Sequence, residues 1–251
     1  MSCFKTYLSL LVGVMITLNA YPQKWYAASA GETIFSLGVV NTDSTSLSPV
    51  VRFSPVFNLQ QQLHYDFNNQ FGIYTGLGIR NVGLISHYDD QSGNTEKIKE
   101  RAYGLGVPIA VKMGNLESGT GFAAGIEAEL MFAYKRKIKQ GDHKDKISGW
   151  FNENLNLFNP SVFAEIKFKK GQYFRFKYYL RDFLNYKGIE LINGEIIPDY
   201  GPGSKLFYVA IGTVKLTKKI TTPSAPSETE NAYFRTREKP GLIKHAFISE
   251  N

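Results

Sequence analysis

The strongest candidate for catalysis in this 251-residue chain is the polar run Ser86-His87-Tyr88-Asp89-Asp90. It combines a nucleophile, a base and two carboxylates, the groups that nucleophilic catalysis uses. Neighbouring residues of a strand point to opposite faces of a sheet, so Ser86 and His87 cannot easily hydrogen bond to each other. No Ser and His stand two positions apart on one face either. We therefore interpret the run as a polar strand end that enters a loop, and we expect no catalysis.

Two further clusters have side chains that bind cations. Asp89-Asp90 and Asp142-His143-Lys144-Asp145 offer carboxylate and imidazole ligands, but neither has the spacing of an EF-hand or a zinc site. The single cysteine, Cys3, excludes a disulfide framework, a Cys-based zinc site and a CxxC redox motif. We expect solvated loops here, with neither a metal nor a cofactor.

Positive charge is concentrated in one segment of a chain whose net charge is +7. The stretch Ile138 to Asn159 follows Lys135-Arg136-Lys137 and adds Lys139, Lys144 and Lys146. Such a basic collar could bind lipopolysaccharide phosphates or steer acidic ligands, and a solvated charge run explains it equally well. Nucleic acid is not an expected partner, because the basic residues alternate with aromatic residues and the chain carries an export signal.

The export signal lies at the start of the sequence. Met1 to Tyr7 contains one basic residue, and an apolar core follows from Leu8 to Leu18. This core is shorter than the ~20 residues of a membrane-spanning helix, so it predicts a cleaved secretory signal. We assign residues 1–23 to the signal peptide, with the cut between 20 and 30, after Ala20 or after Ala28-Ser29-Ala30.

The elements that follow the signal have the period of strands. From Thr33 to Leu216 large apolar residues recur at every second position, which predicts strands and no helices. Tight polar turns alternate with long polar stretches, so hairpins open alternately at two ends. Eight strands are predicted, at about 32–40, 49–67, 71–87, 97–114, 121–137, 160–169, 172–184 and 203–217. We expect a barrel over 31–217 and a mostly disordered periplasmic tail over 218–251.

The two faces of these strands differ enough to indicate which one points outward. One face carries small residues such as Gly76, Gly104 and Gly125, which suit the narrow interior of an eight-stranded barrel. The other carries Phe, Tyr, Leu and Ile, which suit lipid. We therefore predict an all-β, antiparallel, up-and-down transmembrane barrel with short periplasmic turns and long extracellular loops. Interfacial anchors are expected at Trp25, Trp150, Tyr65, Tyr134 and Tyr178.

Charged and polar residues share the inward face with the glycines. Outside the charge ladder these are Arg52, Gln60, Gln62 and His64. Because buried charges must be paired, we expect Glu127 and Glu129 to meet cations of adjacent strands such as Lys112, Lys167 or Arg80. A salt-bridged plug is favoured over an ion-selective pore. The lumen charge ladder comprises Arg80, Lys112, Glu127, Glu129, Glu165, Lys167, Arg175, Lys177 and Arg181.

Together these features resemble the small outer membrane β-barrel proteins of Gram-negative bacteria. Ala20-Tyr21-Pro22-Gln23 and the strand from Tyr103 to Lys112 are similar to porin-like barrels of Bacteroidota, the group that includes PorT-like proteins. The resemblance implies an outer membrane location, contact with lipid and lipopolysaccharide, and insertion by the barrel assembly machinery. The tail after the last strand departs from barrels that end on an aromatic residue.

The expected function is a structural, porin-like or secretion-accessory role without catalysis. One alternative is a lipid-modifying outer membrane enzyme, which needs a Ser/His pair that converges at the rim. Another is a soluble secreted barrel that binds a ligand, which needs the aromatic face to point inward. Other envelope proteins are possible partners of the tail.

Overall fold

A computed structural model describes residues 24–40, 47–89, 94–192 and 194–220. The predicted signal peptide, residues 1–23, and most of the predicted tail, residues 221–251, lie outside the described residues. The last strand continues to Ile220, three residues beyond the predicted end of the barrel.

The described residues form thirteen strands and one short 3-10 turn, Lys169–Gly171. The strands are β1 Lys24–Val39, β2 Leu47–Val50, β3 Arg52–Ser54, β4 Leu59–Asp66, β5 Phe71–Asp89, β6 Thr95–Asn115, β7 Thr120–Gln140, β8 His143–Trp150, β9 Phe158–Lys167, β10 Gln172–Tyr179, β11 Gly188–Glu190, β12 Ile196–Pro198 and β13 Lys205–Ile220.

Eight of these strands close into an antiparallel ring, which confirms the predicted fold class. Around the ring the order is β13, β10, β9, β7, β6, β5, β4 and β1, and β1 pairs with β13 to complete the circle. The closing pair extends from Trp25 opposite Ile220 to Val39 opposite Lys205, with one shift of register between Ala27 and Ala28. Each strand of the ring therefore pairs with a neighbour on both sides.

The short turns all lie at one end, as predicted. In the turn between β4 and β5, Asn68 Oδ1 accepts hydrogen bonds from the backbone N–H groups of Gln70 and Phe71 at 2.8 and 2.7 Å. Between β6 and β7, Asn115 Oδ1 accepts one from Ser118 N at 3.0 Å. Asn side chains mimic a backbone turn in this way, so the sequence positions of these turns follow from their Asn residues.

The predicted strand 49–67 is interrupted. Its first part forms β2, which pairs with β5, and β3, which pairs with β1, before the chain turns and enters the ring as β4. Pro55 lacks a backbone N–H for a continuous ladder, and Phe57 takes a left-handed φ of 63°. The prediction of one uninterrupted strand is therefore wrong.

Two predicted long loops contain strands of their own. β7 continues past the ring to Gln140 and forms a hairpin with β8. β11 and β12 form a second hairpin within the connection from β10 to β13. Both hairpins lie at the end opposite the short turns, so folded structure extends beyond the ring at this end.

A β-bulge in β7 changes which residues point inward. Tyr103 of β6 lies opposite Ala133, whereas Gly104 lies opposite Met131, so Phe132 is an extra residue. The inward face of β7 thus passes from Met131 to Tyr134 instead of to Ala133. Tyr134 is only 2% exposed, and its prediction as an interfacial anchor is wrong.

The outer face of the ring is apolar. Ile109, Ile126 and Leu59 are about 60% exposed, and thirty-two large apolar residues are exposed in the described part of the chain. The ten steps from Tyr103 to Met113 on β6 cover about 25 Å of height at the usual tilt, which is the thickness of the apolar band of membrane barrels. Within the described residues, no helix has the length and apolar character needed to cross a bilayer.

Aromatic pairs mark both borders of this apolar band. At the short-turn end, Trp25 and Tyr65 lie with ring centroids 4.5 Å apart. At the other end, Phe132 of the bulge stacks on Trp150 of β8 at 5.7 Å. Such belts occupy the level of lipid headgroups in membrane barrels.

Candidate functional site: a charged lumen

The lumen is filled by the side chains of the inward face, and its centre is Glu32 of β1. Arg80 Nε donates to Glu32 Oε1 at 2.9 Å, and Arg175 Nη1 donates to Glu32 Oε2 at 2.8 Å. Tyr173 and Tyr208 donate their hydroxyl protons to the same carboxylate at 3.0 and 3.3 Å. Glu32 therefore joins strands from different sides of the ring.

Glu127 and Glu129 of β7 form the next part of the network. Arg80 and Lys177 each contact both carboxylates, with Lys177 Nζ 2.8 Å from Glu127 Oε2 and Arg80 Nη1 3.4 Å from Glu129 Oε1. The hydroxyl of Tyr179 donates to Glu129 Oε2 at 2.7 Å. These four charged side chains are at most 1% exposed, so the pairs are closed to bulk water.

Glu165 of β9 lies on the other side of Arg175. Arg175 donates to Glu165 Oε1 through Nε at 2.8 Å and through Nη2 at 2.5 Å. The Tyr74 hydroxyl donates to the same oxygen at 2.8 Å, and Lys167 lies 3.4 Å from Oε2. Arg175 thus bridges Glu165 and Glu32 across the lumen.

A separate ion pair lies near the short-turn end. Lys112 of β6 contacts Asp66 of β4 and donates to the Tyr26 hydroxyl at 2.8 Å. His64 Nδ1 lies 3.2 Å from the same ammonium group, and the His64 ring stacks on Tyr26 at 4.7 Å. This group holds the start of β1, at Tyr26, against β4 and β6.

Charge in this lumen network is balanced. Among the described residues, five carboxylates meet five cations, and the tyrosines supply the remaining hydrogen bonds. Buried charges are tolerated when they are paired and hydrogen bonded in this way. The network consists of Glu32, Asp66, Glu127, Glu129, Glu165, Arg80, Lys112, Lys167, Arg175 and Lys177.

Glycine on β6 makes room for the network. A Cβ atom added to Gly106 would collide with Glu127 Oε1 and would lie 3.1 Å from Arg80 Nη1. A Cβ on Gly104 would lie 3.2 Å from Glu129 Oε2. The small residues of the inner face therefore leave the space that the long charged side chains of the neighbouring strand occupy.

The structure brings most of the predicted ladder together, and of the three cations expected beside Glu127 and Glu129 only Arg80 contacts them. Glu127 and Glu129 meet Arg80 and Lys177, while Lys112 pairs with Asp66 and Lys167 with Glu165. β10 ends at Tyr179, so Arg181 lies beyond the strand, is exposed and donates to Phe158 O at 3.1 Å. It therefore does not belong to the lumen.

The polar residues predicted beside the ladder also lie inside. Gln60, Gln62 and His64 are buried, and Gln60 Oε1 accepts a hydrogen bond from Arg175 at 3.1 Å. Arg52 lies nearer the end that carries the long connections, where it donates a hydrogen bond to Asn81 Oδ1 at 2.5 Å.

Glu32 and Asp66 were not recognised in the sequence. Glu32 shares the parity of Ile34 and Ser36, both fully buried, so extending the period of β1 to its start identifies Glu32 as inward. Asp66 shares the parity of His64 in the same way. The predicted ladder began at Arg80 and so lacked the carboxylate that links both arginines.

Above the network an apolar core fills the end that carries the long connections. Leu84, Ile98, Met131, Phe183 and Leu206 are among its fully buried members. It separates the lumen network from a second polar group at Glu100. The barrel is thus filled by charge in the membrane-spanning part and by apolar side chains above it.

Glu100 lies above the aromatic belt and is fully buried. Its carboxylate accepts hydrogen bonds from Tyr134 at 2.5 Å and from Tyr186 at 2.6 Å. Burial raises the pKa of Glu100 to about 7, and the two tyrosine hydrogen bonds and Arg136 oppose the shift. The guanidinium of Arg136 lies over the Tyr186 ring at 5.7 Å.

The catalytic candidate is not assembled. Ser86 is 1% exposed and faces the interior, whereas the neighbouring His87 lies on the opposite face of β5. Asp89 instead accepts a hydrogen bond from Thr95 Oγ1 at 2.5 Å, and Asp90 lies outside the described residues. In the described part of the chain, no three His, Cys, Asp or Glu residues lie close enough to hold a metal ion.

Comparisons with known proteins give fold neighbours only. No family model and no curated protein sequence matches the chain. Ail, the attachment invasion locus protein of Yersinia pestis, is 10% identical with a TM-score of 0.34, over 78% of this chain and 99% of that chain. Neisserial surface protein A is 6% identical with a TM-score of 0.31, over 77% and 97%. The outer membrane protein OprG from Pseudomonas aeruginosa is 8% identical with a TM-score of 0.30, over 76% and 93%.

Proposed function

We propose that the protein is a non-catalytic outer membrane barrel that does not conduct ions and holds a folded set of extracellular hairpins at the cell surface. The observation that carries this proposal is the reversal of polarity across the barrel wall. Apolar side chains cover the outside, and a balanced network of buried charges fills the inside. A water-soluble barrel has the opposite arrangement.

The exposed apolar band supports a membrane location. Ile109, Ile126 and Phe122 are about 60% exposed on adjacent strands, where they would meet water in a soluble protein. The soluble ligand-binding alternative required the aromatic face to point inward, and this band counts against it. The outer membrane is the membrane that contains barrels of this kind in bacteria.

The lumen network supports a plug. Arg80 and Arg175 are each about 1% exposed and each is held by two or more carboxylates. Eight strands enclose an interior just wide enough for side chains, so these pairs occupy the space that a pore would need. A structural role is therefore favoured over a porin-like one.

Separation of Ser86 and His87 argues against the lipid-modifying enzyme. A nucleophile and its base must reach hydrogen-bond distance, and these two point to opposite faces of β5. Among the described residues, no Ser and His side chains are hydrogen bonded to each other.

Finer assignments stay predictions. The likeness to Bacteroidota porin-like and PorT-like barrels is carried only by Ala20 to Gln23 and Tyr103 to Lys112. We also propose a secretion-accessory role, insertion by the barrel assembly machinery, and contact of the tail with other envelope proteins.

Two measurements on the full chain test the proposal. We expect the membrane-fraction protein to migrate differently in SDS when unheated and when boiled, because a closed barrel resists SDS. The folded protein should then give no stable single-channel current in a planar bilayer in which a 16-stranded porin conducts. A soluble protein without a shift would overturn the membrane location, and a stable current would overturn the plug.

A further inference from the structure

The outward face above the aromatic belt is strongly basic. On the extended parts of β6, β7 and β8, every second residue points away from the barrel, and most of these residues are cations. We call this surface the basic face, and it comprises Lys97, Lys99, Arg101, Lys135, Lys137, Lys139, Lys144 and Lys146.

Strand register places these like charges directly opposite one another. Lys97 is opposite Lys139, which is opposite Lys144, and the next row is Lys99, Lys137 and Lys146. A third row pairs Arg101 with Lys135. Side chains directly opposite on one face are about 5 Å apart at Cβ, and like charges there destabilise the sheet.

The same strands send their carboxylates to the other face. Glu96 and Glu100 of β6 are fully buried, and Asp145 of β8 lies opposite the buried Ile138. Among the described residues, no member of the basic face forms an ion pair with a carboxylate. Desolvation and the charges of Lys144, Lys146 and Lys139 lower the pKa of Lys137. Opposed cations without a protein counterion are the arrangement of an anion-binding surface.

Height relative to the belt identifies the anion. Arg101 is two residues above Tyr103, and Trp150 at the end of β8 lies opposite Ala133, two residues below Lys135. At about 3.3 Å per residue the basic face begins within about 7 Å of the belt and extends about 13 Å further along the strands. Lipid phosphates of the outer leaflet lie at that level, next to the aromatic residues.

We infer that the basic face binds the phosphate groups of lipid A and its inner sugars in the outer leaflet. The inference rests on the proposed outer membrane location. It goes beyond the basic collar expected from the sequence, because three cations of β6 belong to the site and Arg136 does not. Arg136 lies opposite Glu100 and turns inward over Tyr186.

A row of three substitutions tests the inference. We compare the full wild-type chain in neutral detergent with Lys99→Gln/Lys137→Gln/Lys146→Gln, using thermophoresis with diphosphoryl lipid A in the micelles. The matched control is Lys169→Gln/Lys170→Gln/Lys215→Gln, three exposed cations at the short-turn end. We expect at least a tenfold loss of affinity in the first variant, less than a twofold change in the control, and weaker wild-type binding at high salt.

Other outcomes overturn the inference. Equal affinity of the wild type and the first variant would do so, as would an equal loss in the control. Inorganic pyrophosphate or soluble dextran sulfate that binds as tightly as lipid A would overturn the assignment to a lipid. The heat-dependent SDS shift of all three proteins is measured in parallel, because its absence in the wild type would indicate failure of the proposed location, whereas its presence with unchanged binding would indicate failure of this inference alone.

Discussion

Glu32 has the largest number of charged and hydroxyl partners in the lumen network, which makes it the most informative single residue. It accepts hydrogen bonds from Arg80, Arg175, Tyr173 and Tyr208, which belong to three other strands. Removing one partner of a buried ion pair leaves the other charge without compensation, and this destabilises more than the intact pair stabilises.

We expect Glu32→Ala to lower the free energy of unfolding by about 3 kcal/mol, because Arg80 and Arg175 each lose one of their carboxylates. The measurement is the urea midpoint for loss of the fast-migrating, unheated form in SDS. Glu117→Ala removes an exposed carboxylate from a short turn and should change the free energy by at most about 0.5 kcal/mol. Equal midpoints for the two variants would contradict the central role of Glu32.

Glu100 makes the extracellular end sensitive to pH. Its folded pKa of about 7 lies above the ordinary value, so between about pH 4.5 and 7 the folded protein holds a proton that the unfolded chain has lost. The stabilisation from this group is therefore complete below pH 4.5 and is lost as the pH rises through 7.

We expect the wild type to lose about 3 kcal/mol of stability from this group between pH 4.5 and 8, whereas Glu100→Gln should lack that dependence. The readout is the difference in urea midpoint between wild type and variant across this range, since other titrating groups cancel in the difference. Tyr134, Tyr186 and Arg136 face Glu100 and are unchanged in the variant. A difference that does not vary with pH would disprove the assignment.

Sequence parity identified most of the residues that point inward, but not which of them contact each other. Glu127 and Lys177 were both assigned to the lumen, yet they lie on β7 and β10, which are separated by β9. Their contact crosses the narrow lumen, and it depends on the stagger of the closed ring. Alternation within a strand contains no information about that stagger, so pairing with adjacent strands was the only expectation available.

At the scale of elements, the ring strands were predictable because large apolar residues recur at every second position, alternating with small or polar residues or with tyrosine. The bulge at Phe132 was not, since one inserted residue shifts the parity without any change in composition. The hairpin of β7 and β8 was missed for a related reason. Its outward residues are Lys and its inward residues are mixed, so the apolar alternation that marks a strand is absent from it.

The height of an exposed apolar residue relative to the apolar band decides whether it contacts lipid or water. We expect Ile109→Lys to destabilise the folded barrel in lipid vesicles by about 2–4 kcal/mol, because Ile109 lies near the middle of the apolar band. Ile196 of β12 is as exposed, at 64%, but belongs to an extracellular hairpin. Ile196→Lys should therefore have little effect on the yield and urea midpoint of the heat-modifiable form. Similar losses in both variants would contradict the membrane position of β6.

At the scale of the whole molecule, the sequence predicted the inside-out distribution of polarity and the eight-stranded closure. It did so because large apolar side chains recur on one face of the strands, whereas Gly76, Gly104 and Gly106 lie on the other together with the charged residues. The lumen charges then follow from the same alternation. The folded extracellular end could not be predicted, since its core draws single residues such as Leu155, Phe183 and Ile197 from distant connections without any period.

Closure of the ring by β1 and β13 has a consequence for how the protein folds. The register joins Trp25 to Ile220, so the contact that completes the barrel links residues from opposite ends of the described chain. A contact of such high sequence separation forms late, after the loop entropy of nearly the whole chain has been lost. Until β13 arrives, β1 presents an unpaired edge to any neighbouring strand. Closure of the ring is therefore a late step that cannot begin before β13 has been synthesised. A chain that stops before β13 would leave β1 and β10 each with an unpaired edge, which neighbouring strands can join.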